Sequence, residues 1–248
     1  MALIDESVIL PLFMNKITKT ITITQHDFIL KKITDEDTEI HSHPNSFTEF
    51  DRDGRVIREC RYMRDGSFEE MIEYDFDDHN RVNCERYYLS EDEISEVVEY
   101  RYNDSGKAVS AEKKYADGSV DTIDFEYDGE GRLFRKVYRN DEQEVEQTEH
   151  YTYNQGTLVK VESFDGDGNL MSIPFQDESL SSHSRVTRNE AGQVILEEEF
   201  DINGEVIMSV QRDYQDDGKP SRVEVFMNGQ GKTISRHYIL TYDYTYFE

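Results

Sequence analysis

Along most of this chain apolar and polar positions alternate with a period of two. The runs are about eight residues long and are broken by turns rich in Gly, Asn and Asp. Residues 68–76 show the pattern: Phe68, Glu70, Ile72, Tyr74 and Phe76 fall on one side, and Glu69, Met71, Glu73 and Asp75 on the other. The pairs Tyr74/Phe76, Tyr100/Tyr102, Phe125/Tyr127, Tyr151/Tyr153 and Tyr242/Tyr244 mark the side expected to pack. One wet face and one packed face is what an antiparallel sheet allows.

The turns repeat as well. An aromatic residue, a turn of about four residues, then a basic and an apolar residue recur from Phe50 onward. The copies include Phe50–Val56, Phe76–Val82, Tyr102–Ala108, Phe125-Glu-Tyr127-Asp128-Gly-Glu-Gly131-Arg132-Leu133 and Tyr214–Pro220. Successive turn glycines, with Asn80 in one place, are 26, 26, 25, 25, 36 and 26 residues apart. Gly and Asn both tolerate the left-handed backbone such turns require. A second turn follows each marker, as at Asp65-Gly66, Asp117-Gly118 and Asn203-Gly204. The pattern predicts an all-β antiparallel meander of about seven two-stranded repeats over 50–248, forming a long coiled or curled sheet.

Residues 1–49 fall outside the repeat and are expected to form an N-terminal β cap that covers a sheet edge. Its predicted strands are Lys16–Thr24 and Phe28–Ile33, followed by a turn at Thr34–Asp37 and a loop at His41–Ser46. The long interval holds a predicted insertion at 171–185, whose Pro174 and serines read as a loop interrupting the sheet.

Composition narrows the function. Hydrophobic residues are 36% and charged residues 33%, so the core is lean, and 16 Tyr and 13 Phe supply much of it. The formal charge of −27 argues against nucleic acid or an anionic membrane as partner, because phosphate binding needs a basic footprint. It fits either solubility or the steering of a basic protein partner. The expected partner-binding carboxylates are those read as alternating with the packed aromatics: Glu69, Glu73, Glu99, Asp124, Glu126, Glu197 and Glu199. The start of the chain has no basic region, and the apolar run Val8–Met14 is too short to span a bilayer, so a cytoplasmic location is expected.

Tyr127-Asp128-x-x-Gly131-Arg132-Leu133 resembles the Tyr-Asp repeat of RHS and teneurin-type proteins. The other copies match with Phe for Tyr, Asn or Gln for Asp, and Lys for Arg, over roughly 50–245. The resemblance implies a spiralling β-sheet and brings no catalytic residue with it. In that family such sheets enclose toxic domains of large bacterial toxins, and about seven copies are too few for that.

Other candidate chemistry is weak. Ser163–Leu170 looks like a calcium loop, but an EF-hand register puts Pro174 where a bidentate Glu is needed. Gly229-Gln-Gly231-Lys232-Thr233 lacks the first glycine of a phosphate loop, since Phe226 stands there. His41 and His43 offer two imidazoles, with Asp35, Asp37 or Glu39 near in sequence. No cofactor motif or common catalytic signature is present. The expectation is a non-enzymatic, immunity-like interaction protein. The alternatives are a surface or secreted carbohydrate-binding module, or a metal-dependent enzyme using the N-terminal histidines.

Overall fold

A computed structural model describes residues 16–30, 38–176, 183–201, 203–228 and 235–248. Every regular element among them is a β-strand, and all seventeen belong to one antiparallel sheet. Consecutive strands pair from β1 (Thr18–Leu30) and β2 (Thr38–Phe50) through to β12 (Leu170–Gln176). They pair again from β13 (His183–Arg188) to β17 (Arg236–Tyr246), and β17 returns to β1. The sheet order is therefore β13 through β17, then β1 through β12. The N-terminal pair lies within the sheet, with β2 against β3 (Val56–Tyr62) and β1 against β17, and so joins the two ends of the chain.

The motif turns share one construction. At the first, Gly54 N donates to Asp51 O (3.1 Å) and Asp51 N to Arg55 O (2.9 Å), with Gly54 at φ 82°. One extra residue then bulges the outgoing strand, as the register shift between Glu49 and Phe50 records. Asp51 Oδ1 accepts from the backbone N–H groups of Asp53 and Arg55, and Arg55 Nε donates to Asp51 Oδ2 at 2.6 Å. Asp77/Arg81 and Asp128/Arg132 repeat it. The basic residue also stacks on the next repeat's aromatic: Arg55 on Phe76 (4.6 Å), Arg81 on Tyr102 (4.2 Å) and Arg132 on Tyr153 (5.1 Å). Tyr102, Tyr153 and Tyr214 hydroxyls donate back to the carbonyls of Val82, Leu133 and Val194. The motif is thus a turn and a rivet to its neighbour at once.

Several expectations for the segments outside the regular repeat need correction. Phe28 lies in the same strand as Thr24, because β1 runs unbroken to Leu30. His41–Ser46 is strand, not loop: β2 accommodates Pro44, which has no N–H, at a register shift opposite Ile23 and Thr24. Much of the 171–185 insertion is also strand, with another shift around Pro174 between Val161 and Ser163. The Thr34–Asp37 turn, the Gly229–Thr233 turn, the Val8–Met14 run and 177–182 lie outside the described residues.

The long interval holds three strands, β11 (Thr157–Asp165), β12 and β13, where the others hold two. The antiparallel pairings then require β12 and β13 to run in the same direction. All seven motif turns consequently lie at one rim of the sheet, on both sides of the interval. A flat sheet of seventeen strands would hold β12 and β13 about 77 Å apart. Gln176 and His183 are seven peptide steps apart, which reach at most about 25 Å. The open sheet therefore bends round until its edge strands come near one another, although no ladder joins them among the described residues.

Directly opposed residues of an antiparallel pair share a face, so the registers sort every strand. One face carries Ile72, Tyr74, Tyr87, Tyr100, Phe125, Tyr138, Tyr151 and Tyr242. Among the described residues seven apolar and four polar side chains are buried. Val98, Ala111, Val161, Val223, Val225, Asp27, His43 and Ser163 lie on the tyrosine face, and only Cys60, Val137 and Thr148 on the other. Side chains converge on the inside of a curved sheet, so the tyrosine face is the concave one. Most residues of that face are half-exposed.

Cys60 and Cys84 share the outer face, with β4 (Phe68–Phe76) between their strands. Both are free thiols, and burial pushes the Cys84 thiol up. Thiol titration of the unreduced protein is expected to count two thiols after unfolding and a slow native reaction. A Cys60–Cys84 bridge would contradict the strand order.

Candidate binding surfaces

The carboxylates expected to bind a partner do not form one surface. Glu69, Glu73, Glu99, Asp124 and Glu126 lie on the outer face. Glu197 and Glu199 lie on the concave face instead, opposite Val210 and Met208 and in line with Val225 and Tyr238. The alternation misleads there because Phe200 ends its strand at the rim away from the motif turns and points outward. Glu69 occupies a bulge between Arg61/Glu70 and Tyr62/Phe68, which moves Phe68 to the outer face.

Most of this set is already paired. Glu73 takes two hydrogen bonds from Arg58 (2.7 and 2.9 Å), and Glu99 binds Lys114 (2.6 Å). Asp124 faces Arg139 (3.4 Å), Glu126 faces Arg135 (3.6 Å), and Glu197 faces Arg212 (3.0 Å). Arg86–Asp75 and Arg101–Glu112 continue the lattice. Exposed pairs of this kind contribute about 0–1 kcal/mol each, and pairing mutes the field they project.

The surplus negative charge lies at the rim opposite the motif turns. Its described turns, 63–67, 90–93, 116–119, 140–144, 165–169 and 201–205, carry twelve acidic residues and one arginine, Arg64. The seven motif turns carry ten acidic and six basic residues, and five of those six contact a turn carboxylate or carbonyl of their own or the next turn. Period alone could not reveal this asymmetry, because it depends on which turns the fold gathers at each end.

The concave face combines phenols with carboxylates. Tyr74 donates to Glu59 (3.0 Å), Tyr87 to Glu85 (2.7 Å) and Tyr151 to Glu149 (2.6 Å). Burial first, then these carboxylates, push all three phenols up. Lys136 Nζ sits 5.7 Å from both the Phe125 and Tyr151 rings and 3.8 Å from Glu149.

The histidine site differs from a metal centre. His43 is buried, with Nε2 3.2 Å from Asp27 Oδ2 and Nδ1 2.9 Å from the Pro44 carbonyl. Asp27 also accepts from Gln25 (2.9 Å) and Arg64 (2.8 Å); burial alone would push its pKa up, and these donors outweigh that, holding it below the usual carboxylate range. Both ring nitrogens of His43 are thus engaged, while His41 is exposed beside it, 5.8 Å between ring centres. No cluster of three metal-ligating side chains occurs among the described residues. In the calcium-like loop Asp165 Oδ1 accepts from the N–H groups of Asp167 (3.1 Å) and Asn169 (2.8 Å), the work of a turn. No helix among the described residues is long and apolar enough to cross a membrane.

No family model matches this chain, and no curated protein matches it. Among solved structures it is similar to a porin-like protein from Bacteroides uniformis ATCC 8492, at 10% identity and a TM-score of 0.41 over 92% of this chain and 98% of that one. A porin-like protein from Bacteroides vulgatus ATCC 8482 matches at 15% identity and 0.29, over 94% and 99%. TcdB2-TccC3 without its hypervariable C-terminal region matches at 13% and 0.26, over 88% of this chain and 14% of that one. At these values the likeness is one of β-rich architecture and does not bear on activity.

Proposed function

We propose that this protein is a non-catalytic binding protein that captures a basic protein partner, acting in the cytoplasm as an immunity-like neutraliser. The observation that supports this most is the gathering of twelve carboxylates in the described turns of one rim, against a single arginine there. A rim of one sign projects a field that raises encounter rates with an oppositely charged protein, by roughly tenfold or more at low salt. The resemblance of 127–133 to the Tyr-Asp repeats of toxin systems supports the neutralising role.

The test uses the partner recovered by pull-down from the native host and identified by mass spectrometry. Replacing Glu91, Asp92, Glu93, Asp141, Glu142 and Glu144 with their amides is expected to slow association by about tenfold at low salt. The effect should fade as ionic strength shortens the Debye length to about 8 Å. Amidating Glu69 together with the paired Glu73, Glu99 and Glu126 should change the on-rate much less. An unchanged on-rate in the rim variant rejects the proposal and leaves the charge to solubility.

A further inference from the structure

The concave face contains the same four-residue arrangement twice, once with a cation and once without. In the first, Glu149 of β10 (Val145–Asn154) is directly opposite Lys136 of β9 (Leu133–Arg139). Tyr151, two residues beyond Glu149, donates to it at 2.6 Å, and burial and then the Glu149 carboxylate push up the phenol of Tyr138, two beyond Lys136. The Lys136 ammonium lies 3.8 Å from that carboxylate and between two aromatic rings, so the chain supplies its own guest.

In the second, Glu85 of β5 (Val82–Ser90) is directly opposite Val98 of β6 (Glu93–Tyr102). Tyr87, two beyond Glu85, donates to it at 2.7 Å, and burial and then the Glu85 carboxylate push up the phenol of Tyr100, two beyond Val98. Tyr74 stands opposite Glu85 on the other side. The four residues match except the lysine, whose place valine takes; the strand beyond differs, with Lys113 opposite Val98 where Phe125 is opposite Lys136, and Lys113 is paired with Glu96 at 2.7 Å. Glu85 has no ion-pair partner among the described residues, and its cage of half-exposed phenols opens to the interior.

We infer that the Glu85 cage binds a lysine or arginine side chain of a protein partner, as the Glu149 cage binds Lys136. A carboxylate between aromatic faces suits such a guest: the rings attract the cation, and the carboxylate neutralises it in a partly desolvated place. This rests on the proposed basic partner and says where it is gripped once the acidic rim has drawn it in.

Octalysine is the probe, followed by NMR of ring-labelled tyrosines. Titration is expected to shift the Tyr87 and Tyr100 rings saturably, and Glu85→Gln to weaken that step by about tenfold. Val98→Lys supplies an internal guest and should abolish the response. Lys136→Val empties the twin and should make the Tyr138 and Tyr151 rings respond, which the wild type should not show. Octalysine bound at the acidic turns, with Tyr87 and Tyr100 unmoved, overturns the cage and leaves the rim reading intact. A Tyr87 and Tyr100 response that persists unweakened in folded Glu85→Gln also overturns it. No binding of octalysine anywhere overturns both.

Discussion

Acidification is expected to unfold this protein steeply between about pH 4 and pH 2. Eight turn aspartates, Asp51, Asp65, Asp77, Asp117, Asp128, Asp165, Asp201 and Asp217, are held below the usual carboxylate range, Asp77 down to about 2. At Asp77 the Arg81 side chain is the largest cause, and at Asp128 the Arg132 backbone N–H. A carboxyl whose folded value is depressed contributes stability that is present above its unfolded value, about 3.9, and is lost as pH falls through the folded one. The net charge of −27 works the other way, since partial protonation above pH 4 relieves self-repulsion. Denaturant midpoints should therefore hold or rise from pH 7 to about 5 and then collapse. Midpoints that stay level down to pH 2 would show that the Asp-to-backbone bonds do not hold the turns.

Gly166→Ala is expected to be the most damaging of the turn-glycine substitutions. A Cβ there would lie 2.2 Å from the Val145 carbonyl oxygen and 3.3 Å from its carbon, both backbone atoms of a neighbouring strand. Something must shift, and overpacking of this kind costs about 1–3 kcal/mol or more. Gly118→Ala is the control: its φ is +91°, and nothing lies within 4 Å of the added atom. It should lose about 1–2 kcal/mol, from the left-handed backbone alone. At Gly131 the added atom meets only the end of the Lys107 side chain, which can swing away. Equilibrium unfolding of the three variants should place Gly166→Ala lowest. Equal losses at 118 and 166 would mean that the β11–β12 turn does not press on β10.

Local chemistry explains what could be read without coordinates. The Asp, Gly and basic positions of each turn act within five residues, so their spacing announced the strands, the hairpins and the all-β class. Pro44 and Pro174 misled the reading, because a missing N–H argues for a loop unless a bulge in the proline's own strand absorbs it. Glu197 and Glu199 misled it because a bulge and an outward Phe200 reversed the phase.

The sequence by itself determined where this chain turns, which residues cap each turn, and that its strands expose two unlike faces. Those properties arise from neighbours in the chain. Only the tertiary structure decided that the 36-residue interval holds a third strand, that β17 closes onto β1, and that the surplus acid gathers at one rim. It alone set Lys136 against Glu149 while leaving Glu85 opposite a valine. These depend on which strands lie side by side and in what direction, and a period of two is the same for either answer.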